Sequence, residues 1–455
     1  MTALHDVINP ATELVEASVP SLSLEDTDAA IARARRAYAT WRHVSPGDRA
    51  RLLRRLSVLL DEHNEELAQL EVRNAGHTIG NARWEAGNIR DVFAYYSGAP
   101  ERLLGQQIPV AGGVNITFHE PLGVVGVIVP WNFPMPILGW GIAPALAAGN
   151  TVVVKPAELT PLTAMRVGEL ALEAGFPEGV LQVLTGKGSV VGERFVTHPD
   201  VAKVVFTGST EVGVHVAEGC ARQVKPVTLE LGGKSANVIF ADSDLAKAAA
   251  AAPGGVFDNS GQDCCARSRI LIERKVMDEF LELLEPAVMA VRVDNPNLTT
   301  TDMGPLISAG HLERVASFVD ETTNVLMRGT VPDGPGYWYP PTVVLASSRA
   351  DRLLHEEVFG PVVTVVPFDD EADAIALANA TDFGLSGSIW TRDVGRALRV
   401  SRGIESGNLS VNSHSSVRYW TPFGGFKKSG LGRELGPNAL EAFTEVKNVF
   451  ISTDT

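Results

Sequence analysis

The spacing of apolar positions changes along the chain from helical periodicity to short continuous runs. Near the N-terminus, leucines and alanines recur at helical spacing, which predicts helices over 23–40, 46–81 and 82–96. From residue 122 onward, runs of valine and isoleucine alternate with helical segments. Uninterrupted apolar runs are typical of strands buried on both faces of a parallel sheet. The pattern therefore predicts an α/β fold.

The predicted strands share apolar runs bounded by glycine, proline or charged residues. They lie at 122–129, 151–158, 180–184, 201–206 and 236–240, with helices among them at 144–150, 161–174 and 243–252. Two more β segments are predicted, at 107–119 and 442–452. Near the N-terminus, Asn9-Pro10-Ala11-Thr12 predicts a turn.

Composition narrows the class of protein. The 455 residues are 45% hydrophobic with a mean hydropathy of +0.07, which favours large packed cores over disorder. This length predicts about three domains. The net charge of −15 argues against a protein that binds polyanions, and no basic tract suggests a nucleic-acid partner.

The N-terminus and the cysteines indicate a cytoplasmic protein. Residues 1–10 carry Asp and Asn without an apolar core, so no signal peptide is expected. The apolar run at 122–130 is too short to span a bilayer, so no membrane partner is expected. Three cysteines, two of them adjacent, make no disulfide framework, which is typical of a reducing compartment.

Two of the three cysteines lie in the polar turn Asn259-Ser260-Gly261-Gln262-Asp263-Cys264-Cys265-Ala266. A thiolate needs access and nearby amides, so a cysteine in a glycine-flanked turn is a candidate nucleophile. The alternative is that both cysteines pack under the loop as small apolar residues.

Two further polar residues stand beside apolar runs. Glu230 lies between two leucines in Leu229-Glu230-Leu231-Gly232-Gly233-Lys234-Ser235, where burial would raise its pKa and make it a general base. Asn132 follows the run at 122–129, where its amide could donate a hydrogen bond into a cleft. The alternative for Asn132 is a residue that only forms the turn.

Charged and small residues at other strand ends suggest a cofactor. Lys155 and Glu158 end the run at 151–158, and ligands of open α/β sheets lie at the carboxyl ends of strands. The segment 201–213 predicts a strand, a small-residue turn and a helix start, which directs backbone N–H groups toward a phosphate. Alternatively, Lys155 and Glu158 are surface charges.

The segments around Glu230 and Cys264, Leu229–Ser235 and Gly261–Cys264, resemble the glutamate and cysteine signatures of the aldehyde dehydrogenase superfamily. The resemblance runs from about Asn9 to the C-terminus. It implies a Rossmann-type parallel-sheet cofactor domain, an α/β catalytic domain and a small β extension for oligomerisation. The implied bounds are 1–104 and 122–231 for the NAD-binding domain, 232–441 for the catalytic domain, and 105–121 and 442–455 for the oligomerisation strands.

The resemblance assigns roles to residues of this chain. It implies Cys264 as nucleophile, Glu230 as general base, Asn132 as oxyanion donor and Glu434 as a proton relay, although Glu434 could equally form a structural salt bridge. The implied NAD contacts are Val129, Trp131, Lys155, Glu158, Gly188, Gly208, Ser209, Glu357 and Phe359. The implied substrate contacts are Ile137, Trp140, Asp258, Val417, Arg418, Trp420 and Phe423.

Neighbouring residues sharpen these assignments. The family motif places the nucleophile two residues after Gln262, which selects Cys264; Cys265 is then expected to pack behind it and Cys220 to be structural. A carboxylate at Glu158 would repel a 2′-phosphate, which favours NAD over NADP. Histidines and cysteines show no ligand spacing, so no metal is expected.

The implied reaction is oxidation of an aldehyde to a carboxylic acid, through a thiohemiacetal and a thioester that water hydrolyses. The alternatives are a coenzyme A-acylating semialdehyde dehydrogenase and a non-catalytic structural protein on the same fold. Aromatic walls with Asp258 suit a cationic aminoaldehyde, like the substrates of betaine aldehyde or γ-glutamylaminobutyraldehyde dehydrogenases. Arg418 suits a carboxylate-bearing semialdehyde instead, and both charges could also face solvent or each other.

Several positions depart from the family pattern or are weakly determined. Gly141 stands where many relatives carry a basic residue, and Arg267 replaces a common glycine after the nucleophile. Part of the usual N-terminal arm is expected to be missing. Glu85 and Asn88, three residues apart on one predicted helix face, could line the mouth of a substrate tunnel. The small-molecule aldehyde and a second copy of the chain, in a homodimer or homotetramer, are the partners expected.

Overall fold

The structure is a computed structural model that describes residues 3–415 and 417–453. Its strands are β1 Ala3–Ile8, β2 Val15–Ser21, β3 Gln107–Ile108, β4 Gly113–Pro121, β5 Val124–Ile128, β6 Thr151–Lys155, β7 Leu181–Val183, β8 Val201–Thr207, β9 Val227–Glu230, β10 Ala236–Ile239, β11 Arg269–Glu273, β12 Asn324–Arg328, β13 Thr342–Leu345, β14 Val362–Phe368, β15 Phe383–Gly384, β16 Ser386–Trp390, β17 Asn408–Val411, β18 Phe426–Lys427, β19 Gly430–Leu431 and β20 Thr444–Ser452.

The helices alternate with these strands through most of the chain. They are α1 Leu24–Trp41, α2 Pro46–Glu62, α3 Asn64–Ala75, α4 Ile79–Ser97, α5 Pro134–Ala147, α6 Leu162–Glu173, α7 Glu193–Thr197, α8 Thr210–Ala221, α9 Leu245–Val256, α10 Met277–Met289, α11 Ala309–Ala316, α12 Arg352–His355, α13 Glu371–Asn379 and α14 Val394–Gly403. Short 3-10 turns cover Pro100–Arg102, Asp258–Gly261, Arg274–Val276 and Pro437–Phe443, and a π-helical turn covers Gly188–Gly192. None of the described helices is both long and apolar enough to cross a membrane.

A six-stranded sheet in the order β19-β9-β8-β5-β6-β7 forms one layer. All neighbours are parallel except β19, which pairs antiparallel with β9. The valines of β5 and β6 are completely buried, because helices α5 and α6 pack against this sheet. The predicted α/β architecture with a parallel sheet is confirmed.

A seven-stranded sheet in the order β12-β13-β14-β11-β10-β16-β17 forms a second layer. Only β12 runs antiparallel to its neighbour. Strands β10 and β11 lie side by side, and the chain between them contains α9 and the cysteine turn. The nucleophile turn is therefore a crossover connection of this sheet. The domain boundaries proposed from the sequence stay a prediction.

The segment 442–452, predicted to belong to the oligomerisation strands, contains β20, which pairs with β4 of its own chain from Thr444↔Pro121 to Ser452↔Gly113. Strand β3 completes this three-stranded sheet on the other side of β4. The sheet keeps apolar side chains exposed, among them Phe118, Val446 and Phe450. Oligomerisation through it stays a prediction.

Helix boundaries differ from the predictions where the backbone turns. The predicted helix over 46–81 is two helices, because α2 ends before His63 and α3 begins at Asn64. Gly76 then closes α3 in the left-handed conformation, with a φ of 76°. Helix α5 begins at Pro134, since proline is well tolerated in the first turn of a helix, and it ends at Ala147, within the segment 144–150 predicted to close a helix.

Candidate active site

A cavity of about 350 Å³ opens beside the carboxyl ends of β5, β8 and β9. The cysteine turn closes its inner end, so Cys264, Glu230 and Asn132 all line the same space. The other lining residues are Pro130, Trp131, Thr207, Gly208, Ser209, Glu211, Leu231, Gly232, His311, Arg314, Glu357 and Phe359. The fold thus unites residues that the sequence singled out in separate motifs.

The turn before the nucleophile has a rare backbone. Asn259, Ser260 and Gly261 follow one another with φ values of 48°, 57° and 70°, a left-handed run that costs conformational energy at the two non-glycine residues. The Ser260 hydroxyl holds the turn by donating to the carbonyl of Gly304 at 2.7 Å. A Cβ at Gly261 would overlap the carbonyl of Gly360, which requires glycine there.

The two cysteines differ in access. Cys264 is half-buried and faces the cavity, whereas Cys265 is buried and its N–H donates to Asp263 Oδ1 at 2.8 Å. A hydrogen bond with Cys265 and then burial raise the pKa of Cys264 well above its usual range. The Cys264 thiol therefore needs a base to become a nucleophile. Its backbone N–H has no acceptor among the described residues.

Hydrogen bonds hold both the side chain and the backbone carbonyl of Asn132. Its Nδ2 donates to the carbonyl of Gln262 at 3.0 Å, and its own carbonyl accepts from Asn259 Nδ2 at 2.7 Å. Gln262 is fixed in turn because its Oε1 accepts from the N–H of Ile307 at 2.8 Å. A carboxamide has two N–H donors, so one remains for a ligand in the cavity.

Glu230 and Glu434 form a buried carboxyl pair. Within the described ranges, none of their four carboxyl oxygens has a hydrogen-bond partner, although both side chains are almost fully buried. Burial and then the charge of Glu434 raise the pKa of Glu230 well above its usual range. Burial raises the pKa of Glu434 to about 8. Strand β19 beside β9 and the backbone pairing of Phe423 with Glu434 position the two carboxyls.

A lysine on β8 acts on this pair. Lys203 is buried, its Nζ donates to Thr228 Oγ1 at 2.8 Å, and burial lowers its pKa to about 8. Its charge lowers the pKa of Glu434. At Gly141, a Cβ would lie 2.9 Å from a methyl carbon of Val127, so the basic side chain of many relatives would need the core to shift. Lys203 was missed from the sequence, where it reads as one polar position in a strand.

At the far end of the proposed cofactor path, three predicted contacts lie together. Lys155 Nζ is 3.9 Å from Glu158 Oε1, which also accepts from the N–H of Gly188 at 3.0 Å. Ser209 is the N-cap of α8, where its Oγ accepts from the N–H of Val212 at 3.4 Å. Val129 instead is buried, and its N–H bonds the carbonyl of Lys155.

Nearer Cys264, a carboxylate and two aromatic rings border the cavity. Glu357 Oε1 accepts from the N–H of Gly233 at 2.7 Å, and burial raises the pKa of Glu357 to about 7. Trp131 and Phe359 meet edge to face, with ring centroids 5.3 Å apart. A Cβ at Gly233 would overlap the carbonyl of Cys264, so this glycine lets the two signature segments touch.

Two cavity residues near Phe359 have no motif that signals them. His311 Nε2 lies 2.7 Å from the carbonyl oxygen of Phe359. Arg314 donates to the carbonyls of Val358 and Glu357 at 2.7 and 2.9 Å. Both residues belong to α11 and fix the loop that carries the predicted Glu357 and Phe359 contacts.

The predicted substrate residues fall into a buried group and an exposed group. Ile137, Trp140 and Phe423 are buried, and the last two rings lie 5.2 Å apart. Val417 is half-buried beside this cluster. Trp420 is half-exposed and meets Tyr419 edge to face, with ring centroids 4.5 Å apart, and the Tyr419 ring lies 5.6 Å from that of Tyr95.

The two charged candidates do not meet. Asp258 and Arg418 are exposed, and the described part of the chain shows no ion pair between them. Asp258 instead accepts from Asn81 on α4. On the same helix, Asn88 accepts from Trp140 Nε1 at 3.2 Å. Glu85 does not line a tunnel mouth as considered from the sequence, because it is fully buried.

A second group of titratable residues lies away from the cavity. This group consists of Glu71, His77 and Glu85, whose potential metal-ligand atoms lie within 4.8 Å of one another. The spacing of these residues in the sequence did not indicate that they would meet. All three are buried. The expectation that no metal is bound stays a prediction.

Comparison with known proteins agrees with this geometry. The sequence profile of the aldehyde dehydrogenase family matches residues 2–449. An aldehyde dehydrogenase of Emericella nidulans is 41% identical over 97% of this chain and 90% of its own length. Phenylacetaldehyde dehydrogenase of Pseudomonas fluorescens is 41% identical over 98% of this chain and 92% of its own.

Among solved structures, betaine aldehyde dehydrogenase of Staphylococcus aureus in complex with NAD⁺ superposes with a TM-score of 0.97. It is 37% identical, and the match covers all of this chain and 92% of that one. Family profile, relatives and fold all extend over nearly the whole sequence. The chain belongs to the aldehyde dehydrogenase family.

Proposed function

We propose that this protein oxidises an aldehyde to a carboxylic acid with NAD, and that Cys264 is the nucleophile. The observation that carries the proposal is the shared cavity of Cys264, Asn132 and Glu230. A half-buried thiol, a free amide donor and a buried, unpartnered carboxyl are the groups that acyl chemistry at a carbonyl carbon requires.

The residues present fit a dinucleotide. The N-terminus of α8, capped by Ser209 and preceded by Gly208, offers backbone N–H groups to a pyrophosphate. Glu158 and Lys155 would hold a ribose, and Glu357 would hold the second ribose near Phe359. When bound, NAD supplies the hydride acceptor. The Glu158 carboxylate favours NAD over NADP because it would repel a 2′-phosphate.

Glu230, Cys264 and Asn132 each carry a different step of the proposed oxidation. Glu230 takes the proton of Cys264, whose sulfur forms a bond to the aldehyde carbon. Asn132 Nδ2 and the Cys264 N–H donate to the resulting oxyanion, and one such donor is typically worth roughly 3–4 kcal/mol. Loss of hydride from the thiohemiacetal leaves a thioester on Cys264. Glu230 passes the Cys264 proton on to Glu434 and so becomes a carboxylate again. It then takes a proton from water, which attacks the thioester carbonyl, and the Cys264 thiolate leaves as the carboxylic acid is released.

Glu434 completes the proton path in this proposal. Its buried carboxyl acts on the pKa of Glu230, and neither carboxyl has a hydrogen-bond partner in the described chain, so a water between them would carry the proton. A carboxyl base at residue 230 also favours water over coenzyme A as the acyl acceptor. NADH formation without added coenzyme A would support hydrolysis of the thioester by water. A strict requirement for coenzyme A would contradict it.

For the substrate, we propose an aminoaldehyde or semialdehyde that enters past Asp258 and the aromatic residues. Trp140 and Phe423 would contact its chain, while Asp258 would attract a cationic end. The second candidate is an aromatic aldehyde, which the buried Trp140–Phe423 pair and the phenylacetaldehyde dehydrogenase relative favour.

A panel separates the two substrate classes. We expect 4-aminobutyraldehyde or betaine aldehyde to give a higher kcat/KM than an uncharged aldehyde of equal length, and Asp258→Asn to reduce this preference. Phenylacetaldehyde as the best substrate, with no effect of Asp258→Asn, would instead favour the aromatic class. Arg418→Gln is the matched control for loss of an exposed charge at the same entrance.

The class of reaction is tested by NADH absorbance with purified protein, NAD and this panel. We expect Cys264→Ala to abolish turnover and Cys265→Ala to retain it. Turnover that persists in Cys264→Ala would move the chemistry to Cys265 or to another protein in the preparation. In this proposal the protein works in the cytoplasm as a homodimer or homotetramer assembled through the β3–β4–β20 sheet, which size-exclusion chromatography with light scattering would test.

A further inference from the structure

A buried acid–imidazole–acid cluster lies directly behind Asn132. Its members are Glu71 on α3, His77 in the α3–α4 turn and Glu85 on α4, and none is more than 3% exposed. His77 Nδ1 and Glu85 Oε1 are joined by a hydrogen bond at 2.5 Å. Glu71 Oε1 accepts from Asn74 at 3.2 Å.

The same imidazole reaches the loop that carries Asn132. The backbone of Asn132 lies close enough to the imidazole to act on the pKa of His77 as a hydrogen-bond acceptor, and the His77 ring lies 5.9 Å from that of Phe133. The Asn132 carbonyl also accepts from Asn259 Nδ2 at 2.7 Å. The Asn132 peptide is therefore held between His77 on one side and the nucleophile turn on the other.

Hydrogen-bonding rules fix where the protons are. A carbonyl only accepts, so the imidazole nitrogen that faces Asn132 must carry a hydrogen, and Nδ1 of a neutral ring must then accept. Glu85 must supply that proton as a neutral acid. Burial raises the pKa of Glu85 and lowers that of His77, so both shifts also favour a protonated Glu85 and a neutral His77. The other charged groups that act on this pair are Glu71 and Asp258.

We propose that His77, held in one tautomer by the Glu85 acid, is a positioning residue that fixes Asn132 for oxyanion binding. This proposal rests on the oxyanion role of Asn132 in the proposed function. Without His77, the bonds that join Asn132 to Asn259 and Gln262 remain, but the Asn132 backbone loses its support on the α3–α4 side, so its second amide N–H shifts relative to the developing charge.

Two probes of Cys264 separate geometry at the oxyanion from reactivity of the thiol, and neither needs NAD. Acylation by p-nitrophenyl acetate forms a tetrahedral oxyanion at a carbonyl, whereas alkylation by iodoacetamide displaces iodide from a saturated carbon and forms none. In the full-length protein, the ratio of the two rates therefore reports the oxyanion donors alone.

We expect His77→Ala to lower the acylation rate about tenfold, less than the roughly 10²–10³-fold typical of losing an oxyanion donor outright. The alkylation rate should change less than twofold. His77→Gln keeps an N–H near the lost ring nitrogen and should recover most of the acylation rate. Glu85→Gln keeps a donor to Nδ1 and should resemble wild type, whereas Glu85→Ala should resemble His77→Ala.

The outcomes that overturn the proposal are distinct. Acylation and alkylation that fall together in His77→Ala would show general damage to the turn, and an unchanged ratio in a folded variant would show that His77 does not position Asn132. Asn132→Ala is the control for the underlying assignment: if it leaves acylation unchanged, the oxyanion role itself fails. Elemental analysis that finds one metal ion per chain, lost in His77→Ala, would replace the His77–Glu85 hydrogen bond by a metal centre.

Discussion

Two groups of buried carboxyls flank the reactive end of the fold, and they are built differently. Glu230 and Glu434 have no hydrogen-bond partners in the described part of the chain. Burial and then the charge of Glu434 raise the pKa of Glu230, whereas burial raises and Lys203 lowers the pKa of Glu434. Glu71 and Glu85 each have a partnered oxygen, because Asn74 and His77 bond to them.

This difference separates carboxyls that can move protons from carboxyls that hold structure. A buried acid with no fixed partner can change its protonation state without breaking a hydrogen bond, although burial raises its pKa. A buried acid with a fixed donor or acceptor cannot ionise without disturbing its neighbour. The first pair suits the hydrolysis of a thioester, and the second suits the rigid support of Asn132.

The largest effect should come from removing the base of the unpartnered pair. Glu230→Gln should lower kcat by about 10²–10⁴, the range typical of general base catalysis, because the amide cannot take a proton from water. A burst of NADH followed by slow turnover would mark accumulation of the thioester.

Glu357→Gln is the comparison, since it removes another carboxyl at the cavity, but one proposed to hold a ribose of NAD, so it should raise the KM for NAD and keep the burst. A full loss of the burst in Glu230→Gln would mean that the earlier of its two roles, deprotonation of Cys264, becomes the limiting step. Wild-type turnover in this variant would contradict the assignment of the base.

The partnered group is best tested through stability. Burial raises the pKa of Glu71 to about 7, while the unfolded value is 4.5, so the folded protein holds the extra proton between these values. The free energy of unfolding should therefore fall as pH rises from 4.5 to 7, by about 2–3 kcal/mol from this residue. Glu71→Gln should remove that slope in urea titrations.

Glu65, on the same helix, provides the matched control. Hydrogen bonds from Arg83 and then Gln69 lower its pKa to about 2, so its contribution is present above pH 4.5 and is lost only as pH falls toward 2. Glu65→Gln should leave the slope between pH 4.5 and 7 intact. Equal slopes in wild type and Glu71→Gln would contradict the protonated state of Glu71.

A smaller effect is expected from the second member of the unpartnered pair. The charge of Glu434 raises the pKa of Glu230, so Glu434→Gln should move the acid limb of kcat/KM to lower pH. Loss of the relay should also lower kcat about tenfold, within the range of assisted proton transfer. An unchanged pH profile would leave Glu434 with a structural role only.

The smallest effect should follow removal of the lysine beside this pair. Lys203 lowers the pKa of Glu434, so Lys203→Met should raise that pKa above about 8 and keep Glu434 protonated at higher pH. We expect kcat at pH 8 to fall about threefold. A shift of one full pKa unit corresponds to about 1.4 kcal/mol, or tenfold, and we expect a smaller shift in the pKa of Glu434.

Lys225 is the control for loss of a buried lysine, since its pKa is also lowered to about 8 but its Nζ bonds three backbone carbonyls. Lys225→Met should affect stability rather than the pH profile. If both lysine variants change the profile alike, the effect is not specific to Glu434.

The sequence predicted residues in local motifs better than residues whose roles depend on contacts between distant segments. Strand runs such as 151–158 and motif residues such as Glu230 follow local rules, because a parallel strand ends where its apolar run ends. The fold class, and the placing of Glu230, Asn132 and Cys264 in separate motifs, came from such signals. The helix over 46–81 was wrong because the break at His63 has neither glycine nor proline.

Contacts between distant segments gave no local signal. Lys203 acts on Glu434 across the sheet, and His77 meets Glu85 only because α3 and α4 pack together. The entrance residues Asp258 and Arg418 are weakly specified for another reason: exposed side chains on turns are not constrained by packing.

The short strand β19 has a consequence for the timing of activity. A chain emerging from the ribosome holds Cys264 and Glu230 long before it holds residues 430–434. Until then, β9 is an open sheet edge that can pair with other chains, and the base has no neighbouring acid. The same late segment of the chain therefore both covers the edge of β9 and brings Glu434 beside Glu230.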